Sequence, residues 1–254
     1  MNRIKFYLTF WGLVMSLHLS LSASFESDPA WSDEFRFRFS VNPNNWNIEE
    51  SIWENELESY VNSDKNCYCS WGILHLKTIK EDSKGKKCTS ARINTKDKIQ
   101  FLYGKIDVRA KAPIGKGIFP AIWMLPLDWT RPYGELDFME YIDCWEGKHI
   151  QSNVHVVYEL GVKHYQHPNK VNLDVDQWHV YSLEWYKDKL VYLIDGVVIH
   201  QVLKSQLEAW PFDRPYYLLL NVAFGGWGGT CGVDYDILPK EMLVDYVRYY
   251  KLKE

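Results

Sequence analysis

The sequence predicts an all-β protein, a sandwich or barrel of antiparallel strands, and three observations carry that expectation. Apolar and polar residues alternate with a period of two in segment after segment. Glycines and prolines punctuate the chain between those segments, at Gly115, Gly117, Pro126, Pro132, Pro168, Pro211 and Pro215. Beyond residue 24 no stretch keeps a helical stripe for three turns, so crossover helices for a parallel sheet are missing from the pattern.

Strands are expected in order at 35–39, 73–79, 105–111, 118–125, 154–158, 179–185, 216–223 and 243–250. In Lys105-Ile106-Asp107-Val108-Arg109-Ala110-Lys111 every second residue is charged, so one face is wet and the other packs. Segments 190–194 and 197–199 flank Asp195-Gly196, a two-residue turn that marks a hairpin. No repeat, low-complexity linker or domain boundary is visible, and residues 25–254 are expected to form one domain.

The first 24 residues read as a secretory leader. Arg3 and Lys5 precede the run 6–21, which has no charged residue, and small residues follow at Ser22, Ala23 and Ser24. The run is diluted by Thr9, Ser16, His18 and Ser20 and is short for a membrane span. Cleavage near 22–24 and a secreted chain with no membrane association are therefore expected. Without Arg3 and Lys5 the 29 cationic side chains become 27 against 33 acids, a net charge of −6. An acidic chain without a basic cluster argues against a nucleic-acid partner and against an anionic polymer substrate.

Aromatic residues reach 16%, with 12 Trp and 17 Tyr. They fill a core, and they also offer flat faces with a polar edge that stack on sugar rings; composition does not separate the two uses. Of the five cysteines, Cys67 and Cys69 are too close in sequence to bond each other. One of them with Cys88 would close a loop of about twenty residues worth about 3 kcal/mol, and Cys144 with Cys231 is a second candidate pair; the sequence does not fix the connectivity, and an odd number leaves at least one cysteine unpaired. Their spacings do not suit a tetrahedral zinc site.

The chemical signal is Gly134-Glu135-Leu136-Asp137-Phe138-Met139-Glu140-Tyr141-Ile142, where three acids alternate with large apolar residues. A buried charge must be paired or neutralised, so acids in such company call for a role. On a regular strand Glu135 and Asp137 share a face and Glu140 falls on the other. One extra residue, a bulge at Phe138–Met139, returns Glu140 to the first face. The two glutamates then behave like residues four apart, with Cα atoms roughly 13 Å apart. Side chains leaning together by about 4 Å each bring the carboxyls to about 5 Å, the spacing of a retaining glycosidase. An acidic strand edge or a calcium-binding face fits the same pattern.

Glu-Leu-Asp-Phe-Met-Glu resembles the active-site signature of glycoside hydrolase family 16, in the bulged form of laminarinase-like β-1,3-glucanases. Trp31-Ser32-Asp33-Glu34-Phe35 is similar to the family's opening strand and Asp245-Tyr246-Val247-Arg248-Tyr249-Tyr250 to its closing strand. Between them, Asn55-Glu56-Leu57-Glu58-Ser59-Tyr60, Ala91 to Thr95, Tyr103 to Pro113, Gly117 to Pro126, Trp178 to Trp185 and Asn221 to Gly226 follow in the family's order. The resemblance spans about residues 31–251. It implies a β-jelly-roll sandwich whose concave sheet forms a glycan cleft, and a secreted, monomeric enzyme acting on a β-glucan polysaccharide. The alternatives are a related hydrolase acting on another β-glycan and a non-catalytic glucan-recognition protein, since relatives exist that keep the fold and lose the acids.

By that resemblance Glu135 is the nucleophile, Glu140 the general acid/base, and Asp137 holds a proton or hydrogen bond that positions Glu135. Trp129 and Trp123 are candidates for sugar stacking or core packing. Arg92 and Asn55 match positions that hydrogen-bond glucosyl hydroxyls, with an Arg–carboxylate pair as the other reading of Arg92. His155 matches a histidine beside the acid/base. Trp227 stands in a glycine-rich loop, and His164 with His167 lacks a third ligand for a metal. No cofactor is expected for catalysis. Family members hold a structural calcium on the convex face, and Glu34, Gly72 by its carbonyl and Asp245 sit in the matching segments; a salt bridge explains Asp245 equally well.

Overall fold

The computed structural model describes residues 24–36, 39–143 and 149–253. The expected leader falls, up to residue 23, outside the described residues, and so does Cys144. The strands are β1 (Trp31–Asp33), β2 (Asn47–Ile48), β3 (Ser51–Ile52), β4 (Glu58–Tyr60), β5 (Cys67–Ser70), β6 (Ile73–Thr78), β7 (Cys88–Ser90) and β8 (Arg92–Asn94). They continue with β9 (Gly104–Lys111), β10 (Ile118–Pro126), β11 (Tyr133–Tyr141), β12 (His149–Glu159), β13 (Lys163–Gln166) and β14 (Asn169–Asn172). The last are β15 (His179–Trp185), β16 (Lys189–Ile194), β17 (Val197–Leu203), β18 (Tyr216–Phe224) and β19 (Lys240–Tyr250).

Two antiparallel sheets face each other. One runs β17-β16-β15-β9-β19-β6-β5, with β1 added to β19. The other runs β13-β12-β11-β10-β18-β8-β2, with β14 added to β12. This is a two-sheet jelly roll, and sequence alternation decides what it buries. Ile106, Val108 and Ala110 of β9 are fully buried between the sheets, as their spacing demands. On the opposite face of β9, Asp107 is not freely wet: it is mostly covered, with the Lys105 amine 3.0 Å away. All nine residues of β18 are buried, which suits its central place between β10 and β8. The β16–β17 turn has Asp195 at φ 50° and Gly196 at φ 78°, the left-handed pair that a tight hairpin requires.

Two sequence expectations are corrected. No strand forms at 35–39 among the described residues there. The strand comes earlier, at β1, and the chain turns at Phe35, whose φ is +48°. Asp33 drives that turn, its carboxylate accepting from the Phe35 N–H at 2.9 Å and from the Trp46 indole at 2.9 Å. The bond from Cys67 or Cys69 to Cys88 is also absent: all three are buried free thiols. Cys67 and Cys69 lie on β5 at the edge of one sheet, whereas Cys88 lies on β7, which pairs with β4 in a separate small sheet. Burial pushes the thiols of Cys69 and Cys88 up to about 12, so they behave as small apolar side chains.

Gly134 opens β11 directly before the acidic cluster. A Cβ there would stand 2.3 Å from Phe212 Cε1 and 2.7 Å from the Tyr216 hydroxyl. Gly134→Ala is therefore expected to destabilise the fold by about 1–3 kcal/mol through overpacking, read as a lower midpoint in thermal unfolding.

Candidate active site

The site is built on β11, held between β10 and β12. Against β12 the register pairs Glu135 with His155, Asp137 with Asn153 and Glu140 with Gln151. Three steps along β11 from Asp137 to Glu140 thus match two steps along β12. Against β10, Trp123 pairs with Asp137 and Ile122 with Met139. Both ladders shift at the same place, so the bulge lies at Phe138–Met139, the position at which it brings the three acids to one face. Leu136, Phe138 and Met139 are buried, and the Phe138 ring meets Tyr192 of the facing sheet edge-on at 6.3 Å. The three acids are left together on the other face.

Their surroundings set their protonation. Asp137 is 1% exposed and Glu140 8% exposed. Asn153 Oδ1 accepts from the His167 N–H at 3.1 Å, which turns the Asn153 amide nitrogen toward His155 Nε2 at 2.8 Å. That donation leaves the His155 proton on Nδ1, where it bonds His164 Nε2 at 2.8 Å. His155 Nε2 also lies 3.3 Å from Asp137 Oδ2 and 3.9 Å from Glu135 Oε1. Asp137 Oδ2 has no donor among the described residues, so a neutral Asp137 suits the site better than an anion.

Burial, and then the charge of Glu140, hold the Asp137 carboxyl well above its ordinary range. Glu140 is pushed up to about 7, by burial first and then by the charge on Glu135; the Gln151 amide nitrogen, 3.2 Å from Glu140 Oε2, opposes the shift. Glu135 is pushed up to about 8, by burial first and then by an ionised Asp137. Once Asp137 holds its proton, that repulsion ends and the hydrogen bond from Asp137 stabilises a Glu135 anion. The arrangement can therefore offer one carboxylate and one carboxylic acid on the same face. Glu135, Asp137 and His155 are also close enough to share a cation, though the Asn153 amide already occupies His155 Nε2.

A cleft of about 480 Å³ opens above these acids. Arg92, Trp123, Trp129 and His155, which the sequence singled out, all line it. The Arg92 guanidinium is sandwiched between the rings of Trp53 at 5.0 Å and Trp123 at 4.8 Å. Its Nε also lies 3.0 Å from the Glu49 carboxylate, the ion-pair reading of Arg92. The Trp123 indole donates to Asn221 Oδ1 at 2.7 Å. Trp129 is 42% exposed and meets Tyr133 edge-on at 5.0 Å.

Asn55 departs from expectation. It is exposed and does not line the cleft; its carbonyl oxygen lies 3.4 Å from where a Cβ on Gly226 would stand. Its neighbours Trp53 and Glu56 line the cleft instead, and sequence reasoning missed both because an irregular segment has no period to say which side chains turn inward. Tyr133 was legible in principle, two residues before Glu135 on the same face. His164 joins the cleft through His155, whereas His167 stacks on His200 with ring nitrogens 3.0 Å apart, so the two do not form a metal pair.

The segments expected to hold calcium do meet on the far sheet. A Cβ on Gly72 would stand 3.7 Å from the Glu34 carbonyl oxygen, and Asp245 is the extra residue where β19 shifts register between Val244 and Tyr246. The charges are already taken. Arg248 grips Glu34 through Nε at 2.8 Å and Nη2 at 2.9 Å, which holds that carboxyl below its usual range. Arg109 donates to Asp245 and stacks over Trp178 at 4.8 Å. The Glu34 carboxylate is thus taken up by Arg248 and one Asp245 oxygen by Arg109, so a calcium here would have to draw on the other Asp245 oxygen and on backbone carbonyls.

Known proteins agree with this geometry. The model of the glycosyl hydrolases family 16 matches residues 48–248. A beta-glucanase of Rhodothermus marinus is 34% identical over 251 residues, covering 88% of this chain and 85% of that one. The crystal structure of a non-specific endo-beta-1,3(4)-glucanase superposes with a TM-score of 0.83 at 34% identity, covering 91% of this chain and 94% of its own. The laminarinase from Rhodothermus marinus does so with a TM-score of 0.83 at 31% identity, covering 92% and 100%. With the family pattern matched over most of its length, on the same fold, this chain belongs to the glycosyl hydrolases of family 16.

Proposed function

We propose that this chain is a secreted endo-β-glucanase that hydrolyses β-1,3 bonds in laminarin-like or mixed-linkage glucans by double displacement. The observation that carries the reading is the bulge, which returns Glu140 to the face of Glu135. Glu135, anionic beside a protonated Asp137, attacks the anomeric carbon. Glu140, raised by burial, gives its proton to the departing sugar oxygen. The glycosyl-enzyme then forms on Glu135, and Glu140, now a base, takes a proton from the water that releases it. Asp137 and His155 position Glu135, while Trp123, Trp129 and Arg92 offer apolar faces and donors to neighbouring sugars. The rival, a glucan-binding protein without activity, has no need of three acids arranged to divide their protons in this way.

Secretion rests on the leader pattern of residues 1–24, and one catalytic domain over 25–254 on the continuous strand pattern. A neutral polysaccharide suits an acidic chain that has no basic cluster, and nothing in the scheme needs a second subunit. Among the described residues no helix is long and apolar enough to cross a membrane.

Reducing-sugar release from laminarin, set beside lichenan, agarose and curdlan, separates enzyme from binder; glucan binding without release would sink the catalytic reading. Glu135→Gln is expected to lower kcat by roughly 10³-fold or more while leaving glucan binding intact, and activity within tenfold of wild type would remove Glu135 from its role. Early products should be β-anomers by nuclear magnetic resonance, and Glu140→Ala with azide should yield a β-glycosyl azide from an activated aryl glycoside. An α-product in either case means direct displacement.

The protonation scheme predicts an alkaline limb in kcat/KM as pH rises through about 7, where Glu140 loses its proton. Stability should follow the same group. The folded state holds that proton more tightly than the unfolded chain, so its contribution falls as pH rises from the ordinary carboxylate range through about 7. Glu140→Gln should therefore be more stable than wild type at pH 8, by about 1–3 kcal/mol, with the gain fading toward pH 4.5. Parallel melting curves across that range would contradict the raised proton affinity.

A further inference from the structure

The wall of the cleft beside Arg92 holds a second pair of acids that the reaction scheme leaves unused. Glu56 lines the cleft, and Glu58, on β4, is fully buried behind it. Their segment hangs on the end of β18. Glu56 bridges Gly225, Leu57 N–H donates to Phe224 O at 2.8 Å, and Phe224 N–H donates to Glu58 Oε2 at 2.9 Å. One oxygen of each acid, Glu56 Oε2 and Glu58 Oε1, is shut off from solvent and has no hydrogen-bond partner among the described residues.

The groups around the pair do not repair this. The Lys86 amine goes to the carbonyl oxygens of Trp53 and Glu56 rather than to either acid. The Cys88 thiol donates to Leu57 O at 3.5 Å, and Tyr235 packs on the same side near Cys88 and Glu58. The Arg92 guanidinium is held by Glu49 and its aromatic sandwich. The Tyr60 hydroxyl hydrogen-bonds Glu58, its phenol pushed up by burial and then by the acids' charge, but one Glu58 oxygen still lacks a partner. Two carboxylates in contact, Glu58 fully buried and Glu56 half-buried, each with one enclosed oxygen that lacks a donor, repel strongly when both are ionised. A single proton between them supplies the donor that each lacks, and burial with the charge of Glu56 raises Glu58 in the direction that keeps it there.

The pair is wired to the cleft on two sides. Glu56 ends the irregular segment that carries Trp53, which stacks on Arg92. Tyr60 takes a hydrogen bond from Asn221 at 3.2 Å, and Asn221 in turn holds the Trp123 indole. We propose that Glu56 and Glu58 share one proton, and that this acid–carboxylate pair is a positioning element which holds the Trp53 wall and its sugar subsite in place. When the proton leaves, repulsion between the two carboxylates loosens that wall, so glucan affinity falls while the chemistry at Glu135 and Glu140 keeps its own pH dependence.

The inference rests on the glucanase reading for its kinetic arm, and a second arm is independent of substrate. KM and kcat on laminarin are measured from pH 5 to 9 for wild type and Glu58→Gln, whose amide donates to Glu56 at every pH. Wild-type KM should rise several-fold toward pH 9, KM of Glu58→Gln should stay flat, and the alkaline limb of kcat should coincide in the two. The melting temperature of wild type should also fall more steeply over that range than that of Glu58→Gln, because the folded pair binds a proton that the unfolded chain has lost. If Glu58→Gln does not fold, Glu56→Gln tests the same proton from the other partner by the melting comparison. Identical KM profiles, or melting slopes that superpose, overturn the shared proton. No hydrolysis of laminarin sinks the glucanase reading, and the melting comparison still decides the fate of the pair.

Discussion

The extra residue in β11, three steps from Asp137 to Glu140 against two from Asn153 to Gln151, is the constraint on which the site depends. Side chains on a strand alternate strictly, so without the bulge Glu140 would point between the sheets, where Ile122 and Met139 now pack. The apolar residues enforce it. Leu136, Phe138 and Met139 are all buried, and any other register would expose one of them or bury an unpaired acid. Packing energy thereby fixes the positions of three carboxyl groups.

Once they share a face, electrostatics does the rest. The burial of Asp137 and Glu140 and the mutual repulsion of all three raise the cluster, and the local hydrogen bonds decide which member keeps a proton. Asn153 is central to this: the His167 N–H orients its amide, the amide fixes the His155 tautomer, and His155 then leaves Asp137 to satisfy itself by staying neutral. Glu56 and Glu58 meet the same problem in the cleft wall with fewer donors still. The opposite sheet solves it differently. Glu34 and Asp245 stand near solvent with arginines at hand, and a guanidinium fork neutralises a carboxylate more cheaply there than a shared proton does. Acids on one molecule thus take three protonation roles according to depth and neighbours.

Much of the fold was legible because alternation is local. The strands expected at 73–79, 105–111, 118–125, 179–185, 216–223 and 243–250 became β6, β9, β10, β15, β18 and β19, and Asp195-Gly196 turned as its two residue types require. The short strands β2 to β4, β7 and β8 were not legible, since two or three residues are too few to show a period. The strand expected at 35–39 failed because Asp33 captures the Phe35 N–H and bends the chain, a hydrogen bond that outweighs the apolar character of the segment.

The sequence by itself determined the all-β class and the setting of three acids among apolar residues, because both follow from residues adjacent in the chain and from the rule that successive side chains point opposite ways; the bulge and the roles of the acids came with the family resemblance. Only the tertiary structure decided what those acids face. It brought Trp53, Glu56, Asn221 and His164 to the cleft from other elements, left Asn55 outside it, kept Cys67 and Cys69 apart from Cys88, and closed Glu34 and Asp245 with arginines. Contacts between residues distant in sequence depend on how the two sheets stack and where irregular segments cross their edges. No period along the chain encodes that, so proton sharing, ion pairing and cleft lining appear only when the chain is folded.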